Sequence, residues 1–130
     1  MSYYFSAEIS ENFDRSLEIV TEALKKEGFG LISEIDIQSK LKEKLGVDFR
    51  KYRILGACNP PYAHKALSLE DKIGTMLPCN VIVQELGPER CEVAAVNPME
   101  SMRAVENEQL AEIASEVTDR LRRVIDSLST

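Results

Sequence analysis

Three cysteines and one histidine are the residues of this chain best suited to chemistry: Cys58, Cys79, Cys91 and His64. Cys58 closes a strand-like run at residues 50–58 and stands directly before Asn59-Pro60-Pro61. That tripeptide reads as a helix start, with Asn as the cap and Pro at the first helical position, where a missing N–H costs nothing. A thiol beside the positive end of a helix dipole is more readily ionised, and thiolate is the form that meets metals, electrophiles and oxidants. Cys79 follows Pro78 at the entrance of another strand-like run, and the dipeptides Cys58-Asn59 and Cys79-Asn80 repeat one pattern. Antiparallel pairing of the two runs would bring both thiols to one edge of a sheet. His64 would lie on the helix between them.

Several chemistries fit that constellation. Cys58, Cys79 and His64 form a donor set for a soft or borderline metal ion such as zinc or copper, with an open position. The two thiols alone could form a redox pair. A pocket walled by Cys58, Asn59, Pro60, Cys79 and Asn80 could hold a small molecule or a sulfur species. Against these stands the packing reading, because a free cysteine is most often a small buried hydrophobe. The twenty residues between Cys58 and Cys79 also match no zinc-knuckle spacing.

Little else points to catalysis. Cys91 alternates with Val93 and Ala95 and reads as core, while Glu85, Glu89 and Glu92 form a solvated face around a hairpin. No nucleophile elbow, Walker loop or dinucleotide-binding glycine pattern occurs. Gly28-Phe29-Gly30 is a helix stop leading into a strand, the reverse of a phosphate loop. Lys40, Lys42 and Lys44 are spread around one helix and balanced by Glu43.

The elements that must position these residues follow from periodicity. Residues 3–9 alternate as a first strand, with Tyr3, Phe5, Ala7 and Ile9 on one face. Asn12 caps a helix whose stripe is Phe13, Leu17, Val20 and Leu24, ending near Gly28. Residues 29–35 form a second strand, and Asp36 caps a short helix carrying Ile37, Leu41 and Leu45 that stops at Gly46. The third strand, 50–58, leads through the Asn-Pro-Pro start into a helix over 62–69. Ser68-Leu69-Glu70-Asp71 has the spacing of a capping box with Asp in place of Glu. A turn at 74–78 precedes the fourth strand, 79–86, and a hairpin at 87–89 leads to the fifth, 90–96. The last helix, 105–128, carries Leu110, Ile113, Val117, Leu121, Val124 and Leu128 inward, with Glu116–Arg120 and Asp119–Arg123 as outer pairs. That helix could cover its own sheet or pack on a partner helix. The order β-α-β-α-β-α-β-β-α, with a terminal hairpin, predicts an α+β domain spanning 1–130, its mixed or antiparallel sheet of about five strands covered by helices.

Composition narrows the partners. In 130 residues, sixteen Lys and Arg oppose twenty-two Asp and Glu, for a net charge of −6. With no Trp and four each of Tyr and Phe, neither the basic footprint nor the stacking surface of a nucleic-acid binder is present. An acidic chain gains nothing at an anionic membrane, no apolar run approaches the length of a spanning helix, and no leader pattern opens the sequence. An odd cysteine count points to reduced thiols in a cytoplasm.

The run Tyr52-Arg53-Ile54-Leu55-Gly56-Ala57-Cys58-Asn59-Pro60, with Ala63, Leu67, Ile73-Gly74 and Leu77-Pro78-Cys79-Asn80-Val81, resembles the bacterial and archaeal "domain of unknown function 302" family. The likeness extends over almost the whole chain, and Cys-Asn-Pro and Leu-Pro-Cys are its most specific parts. Asn97-Pro98-Met99 stands where an Asp-Pro turn is expected in relatives. The resemblance implies a small α+β domain that forms a homodimer; it supplies no catalytic residues. Three functional readings result: a cytoplasmic small-ligand domain with a thiol-lined pocket, a non-catalytic dimeric interaction module with structural cysteines, and a thiol-redox enzyme.

Overall fold

The computed structural model describes residues 2–128. Five strands run β1 (Tyr4–Ile9), β2 (Gly30–Asp36), β3 (Tyr52–Cys58), β4 (Cys79–Gly87) and β5 (Arg90–Val96). Helices α1 (Phe13–Lys26), α2 (Ile37–Leu45), α3 (Pro60–Leu69), α4 (Pro98–Ser101) and α5 (Glu108–Leu128) intervene, with a 3₁₀ turn over Asp71–Met76. The strands form one sheet in the order β1-β5-β4-β3-β2, and every neighbouring pair is antiparallel. The fold is therefore α+β, with the antiparallel form of the expected sheet.

Local chemistry sets most boundaries. Asn12 Oδ1 accepts from the Arg15 N–H at 2.8 Å and starts α1; Asp36 Oδ1 does the same for Ser39 at 3.0 Å and starts α2. Gly28 and Gly46 end those helices at φ 87° and 67°, where a side chain would be strained. The last helix begins at Glu108 instead of 105, and the short α4 precedes it as a separate element. The cause is Asn107, whose Oδ1 accepts from the N–H groups of Gln109 and Leu110 and caps α5. Glu70 caps nothing with its side chain, and Ser68 Oγ donates back to the His64 carbonyl, so the spacing at 68–71 is no capping box. At the turn after β5, Asn97 Oδ1 accepts from Met99 N–H while its Nδ2 donates to Ser2 O. An Asp there could accept but not donate.

Period-two alternation divides the sheet into two faces. Leu55, Ala57, Cys79, Val81, Val83, Cys91, Val93 and Ala95 are buried and join the core with Phe13, Val20 and Leu24 of α1 and Val117, Leu121, Val124 and Ile125 of α5. Thus α5 covers its own sheet, as its stripe allows, and Cys91 is a core residue. The opposite face carries Tyr4, Ser6, Tyr52, Ile54, Asn80, Ile82, Gln84, Glu92, Ala94 and Val96, all partly or fully exposed. A polar row crosses it, from Arg50 Nε to Gln84 Oε1 and from Gln84 Nε2 to Glu92 Oε1, each 2.8 Å.

Gly56 lies in the middle of β3, where the register pairs it with Ser33 on one side and Asn80 on the other. A Cβ at this position would lie 2.1 Å from Ser33 Oγ and 2.7 Å from Pro78 Cγ. The missing side chain lets the bulged β2 and the Pro78 ring close over the strand. Gly56→Ala should therefore destabilise the fold by about 1–3 kcal/mol through overpacking, read as a lowered urea midpoint. Gly30→Ala, with nothing within 4 Å of its new carbon, should not.

Candidate functional site

The pairing of β3 with β4 sets Ala57 opposite Cys79, so Cys58 and Cys79 reach the same end of the sheet, as antiparallel pairing requires. Both line a cavity of about 220 Å³ between that sheet end and the helices. Its floor is Phe29, Ala57 and Cys79; Tyr62, Ala63, Ala66 and Leu67 of α3 form one wall, and Ile113 and Val117 of α5 another. Ile32, Leu77, Pro78 and Met102 complete it, and Cys58, half-buried, lies at the start of α3 beside Asn59. No lining residue carries a formal charge.

The candidate residues divide. Cys58, Asn59 and Cys79 belong to the cavity. Pro60 is exposed at the first position of α3 and shapes the helix start without lining the cavity. Asn80 lies on the opposite face of the sheet, because adjacent strand residues alternate sides. His64 points away as well. It is exposed and lines a separate hollow with Lys65, Ser68, Gln109 and Glu112, which shares only Tyr62 and Ile113 with the cavity. The expected Cys58, Cys79 and His64 metal set is therefore not brought together, and among the described residues no three His, Cys, Asp or Glu side chains gather to hold an ion.

Asn59 does not cap α3 with its side chain. Its Nδ2 instead donates to the Glu27 carbonyl at 3.2 Å, across to the end of α1. Glu27 is a hub: its carbonyl also accepts from Arg120 Nη1 at 3.1 Å, and its carboxylate meets Arg123 at 3.0 Å and Arg120 at 3.8 Å. These contacts replace the expected outer pairs Glu116–Arg120 and Asp119–Arg123. The end of α1 offers unpaired carbonyl and carboxylate acceptors together, which a solvated i,i+4 carboxylate does not. Arg120 also lies 5.4 Å from the Tyr62 ring centroid, so the hub holds the α3 wall of the cavity against α1 and α5.

The electrostatics at the start of α3 are weaker than its sequence promises. Pro60 and Pro61 have no N–H, so the first three helical positions supply one donor, Tyr62 N–H; the next, Ala63 N–H, bonds Asn59 O at 3.0 Å. Burial, with a smaller contribution from neighbouring Cys58, pushes the Cys79 thiol up to about 11. Burial also raises Cys91, partly offset by a hydrogen bond with Ser16. Cys79 is a neutral wall of the cavity at physiological pH.

The sequence reading missed Tyr62, Ala63, Ala66, Ile113 and Val117 as pocket residues. Their trace was present: two alanines three apart on one face of α3 leave room that larger residues would have filled.

Taken together, these features define a small α+β domain with one face of its sheet under helices and an apolar, thiol-bearing pocket at the end of that layer. The sequence profile of the family described as domain of unknown function DUF302 matches residues 5–128, and the chain belongs to that family. It is similar to the crystal structure of an uncharacterized conserved DUF302 protein from Bacillus stearothermophilus, at 28% identity and a TM-score of 0.89, with 98% of this chain and 99% of that chain covered. No curated protein matches the chain.

Exposure and burial predict thiol behaviour. In the native protein near neutral pH, one thiol per chain, Cys58, should react promptly with a maleimide, and all three should react after denaturation; Cys58→Ser should remove the prompt one. Raising the Cys79 pKa above its unfolded value of 9.0 leaves stability intact below pH 9 and withdraws it as pH climbs through about 11. The loss reaches about 2–3 kcal/mol. Cys79→Ala should flatten that alkaline limb of the stability profile, measured by urea unfolding at several pH values.

Proposed function

We propose that this protein is a cytoplasmic small-molecule-binding domain whose ligand occupies the apolar cavity and whose Cys58 thiol stands beside the bound molecule. The observation that carries the reading is the cavity itself: about 220 Å³ of uncharged, apolar, largely pre-formed space where the sheet end meets α3 and α5. Three unpaired thiols, Cys58, Cys79 and Cys91, support a reducing compartment. Among the described residues no helix is long and apolar enough to cross a membrane. A thiol-redox enzyme is disfavoured by the burial that holds Cys79 protonated, since exchange needs thiolate.

Equilibration with small disulfides under a fixed excess of reductant tests the reading. Cys58 should form mixed disulfides with aromatic and aliphatic fragments in clear preference to charged ones of equal size, releasing the other half of each reagent as its thiol. Ala63→Phe, which pushes a ring into the cavity, should abolish the preference. Equal yields for charged and apolar fragments on the native protein would contradict it.

A second reading concerns the uncovered sheet face, and its proposed occupant is a second copy of the chain. Strands of six to nine residues at about 4.8 Å spacing and 3.3 Å rise give a face of roughly 24 by 20 Å. Two such faces bury on the order of 1,000 Å², the lower bound for a specific interface. Ile54, Ile82, Ala94 and Val96 supply an apolar centre, and the Arg50–Gln84–Glu92 row carries both charges at one end. Sedimentation equilibrium should find a dimer that Ile82→Arg converts to monomer without loss of helical signal. A monomeric native protein at high micromolar concentration would rule the interface out.

A further inference from the structure

Resting on the pocket reading above, we infer that the ligand is an uncharged, mainly apolar molecule bearing one hydrogen-bond donor, such as a phenolic or alcoholic hydroxyl, that is received by the amide oxygen of Asn59. Three observations converge. First, size: a dry apolar cavity of about 150 Å³ accepts benzene, so one of about 220 Å³ takes a ring with a short substituent.

Second, charge: neither a basic nor an acidic side chain lines the cavity. The paired prolines reduce the donors at the α3 start, and Arg120 and Arg123 are engaged by Glu27 outside it. An anion finds no partner there, and a cation finds no carboxylate; either would lose its hydration without compensation.

Third, polarity: Asn59 is only 8% exposed and is the one polar amide side chain among the lining residues. Its Nδ2 donates to the Glu27 carbonyl, which fixes the orientation of the amide. No described residue donates to its Oδ1, so the acceptor remains for a ligand. That oxygen is not sealed from solvent, since the one buried side-chain polar atom without a partner among the described residues is Thr118 Oγ1. A ligand that fills the cavity displaces its water, and a donor on the ligand restores the lost bond where a hydrocarbon does not. The site thereby selects a donor on an apolar body.

Calorimetric titration of the full chain with 4-propylphenol, its methyl ether, propylbenzene and 4-propylbenzoate tests this, with Ala63→Phe as the blocked variant. The phenol should bind about five- to tenfold more tightly than the ether or the hydrocarbon. The benzoate should show no saturable binding, and Ala63→Phe should weaken the phenol at least tenfold. Equal affinities for phenol, ether and hydrocarbon, all lost in Ala63→Phe, would overturn the donor assignment and leave the pocket reading standing. Benzoate binding as tightly as phenol would overturn the neutral class. Absence of binding by all four, or phenol binding unaffected by Ala63→Phe, would overturn the pocket reading together with this inference.

Discussion

The close approach of β2 and Pro78 to Gly56 governs the rest of this molecule. Only a glycine allows the Ser33 bulge and the proline ring to meet over β3, and their meeting fixes the register in which Ala57 faces Cys79. From that register follow the shared position of the two thiols, the launch of α3 from the strand end and the gap between α3 and α5. A shift of one residue would turn Leu55 and Ala57 to solvent and expose the core face of the central strand.

The pocket is a consequence of small residues placed where helices meet a sheet. Ala57, Ala63, Ala66 and Cys79 line it, although neighbouring positions in the same layer are filled by Leu55, Val81, Leu121 and Val124. The buried residues form two clusters, one around Leu55, Val81 and Leu121 and a smaller one of Ala66, Ile73 and Leu110, and the cavity lies where they adjoin. The Glu27 hub braces it from outside: two guanidinium groups and one asparagine amide converge on a single helix end, and the Tyr62 ring lies against the Arg120 guanidinium. Because these contacts join α1, α3 and α5, the wall bearing Tyr62 and Ala63 is held away from the floor instead of collapsing onto it.

The parts of the fold legible in the sequence are those decided by neighbours along the chain. Asn12 and Asp36 cap helices, Gly28 and Gly46 end them, and alternation identifies the five strands. The same locality explains what was not legible. Asn59 has the sequence context of a cap, yet its side chain prefers a carbonyl thirty-two residues away. Arg120 and Arg123 have partners at i−4, yet they bond Glu27 at the end of another helix. Asn80 was readable: it follows Cys79 in a strand and so cannot share its face. His64 was misplaced for a related reason, since the helical position of Ala63 and Ala66 carries it outward. Thus the sequence identifies Cys58 and Cys79 as neighbours, whereas the apolar character of the space around them emerges only from packing.

The central claim is that this space is pre-formed, apolar and dry. Xenon pressurisation of crystals of the unliganded protein tests it without reference to any particular ligand, because xenon enters apolar cavities and is displaced from hydrated ones. A xenon atom among Ala66, Ile113 and Cys79, with no ordered water hydrogen-bonded there beforehand, is the predicted result. A cavity holding a chain of ordered waters and no xenon, or one closed by collapse of α3 onto the sheet, would contradict the account.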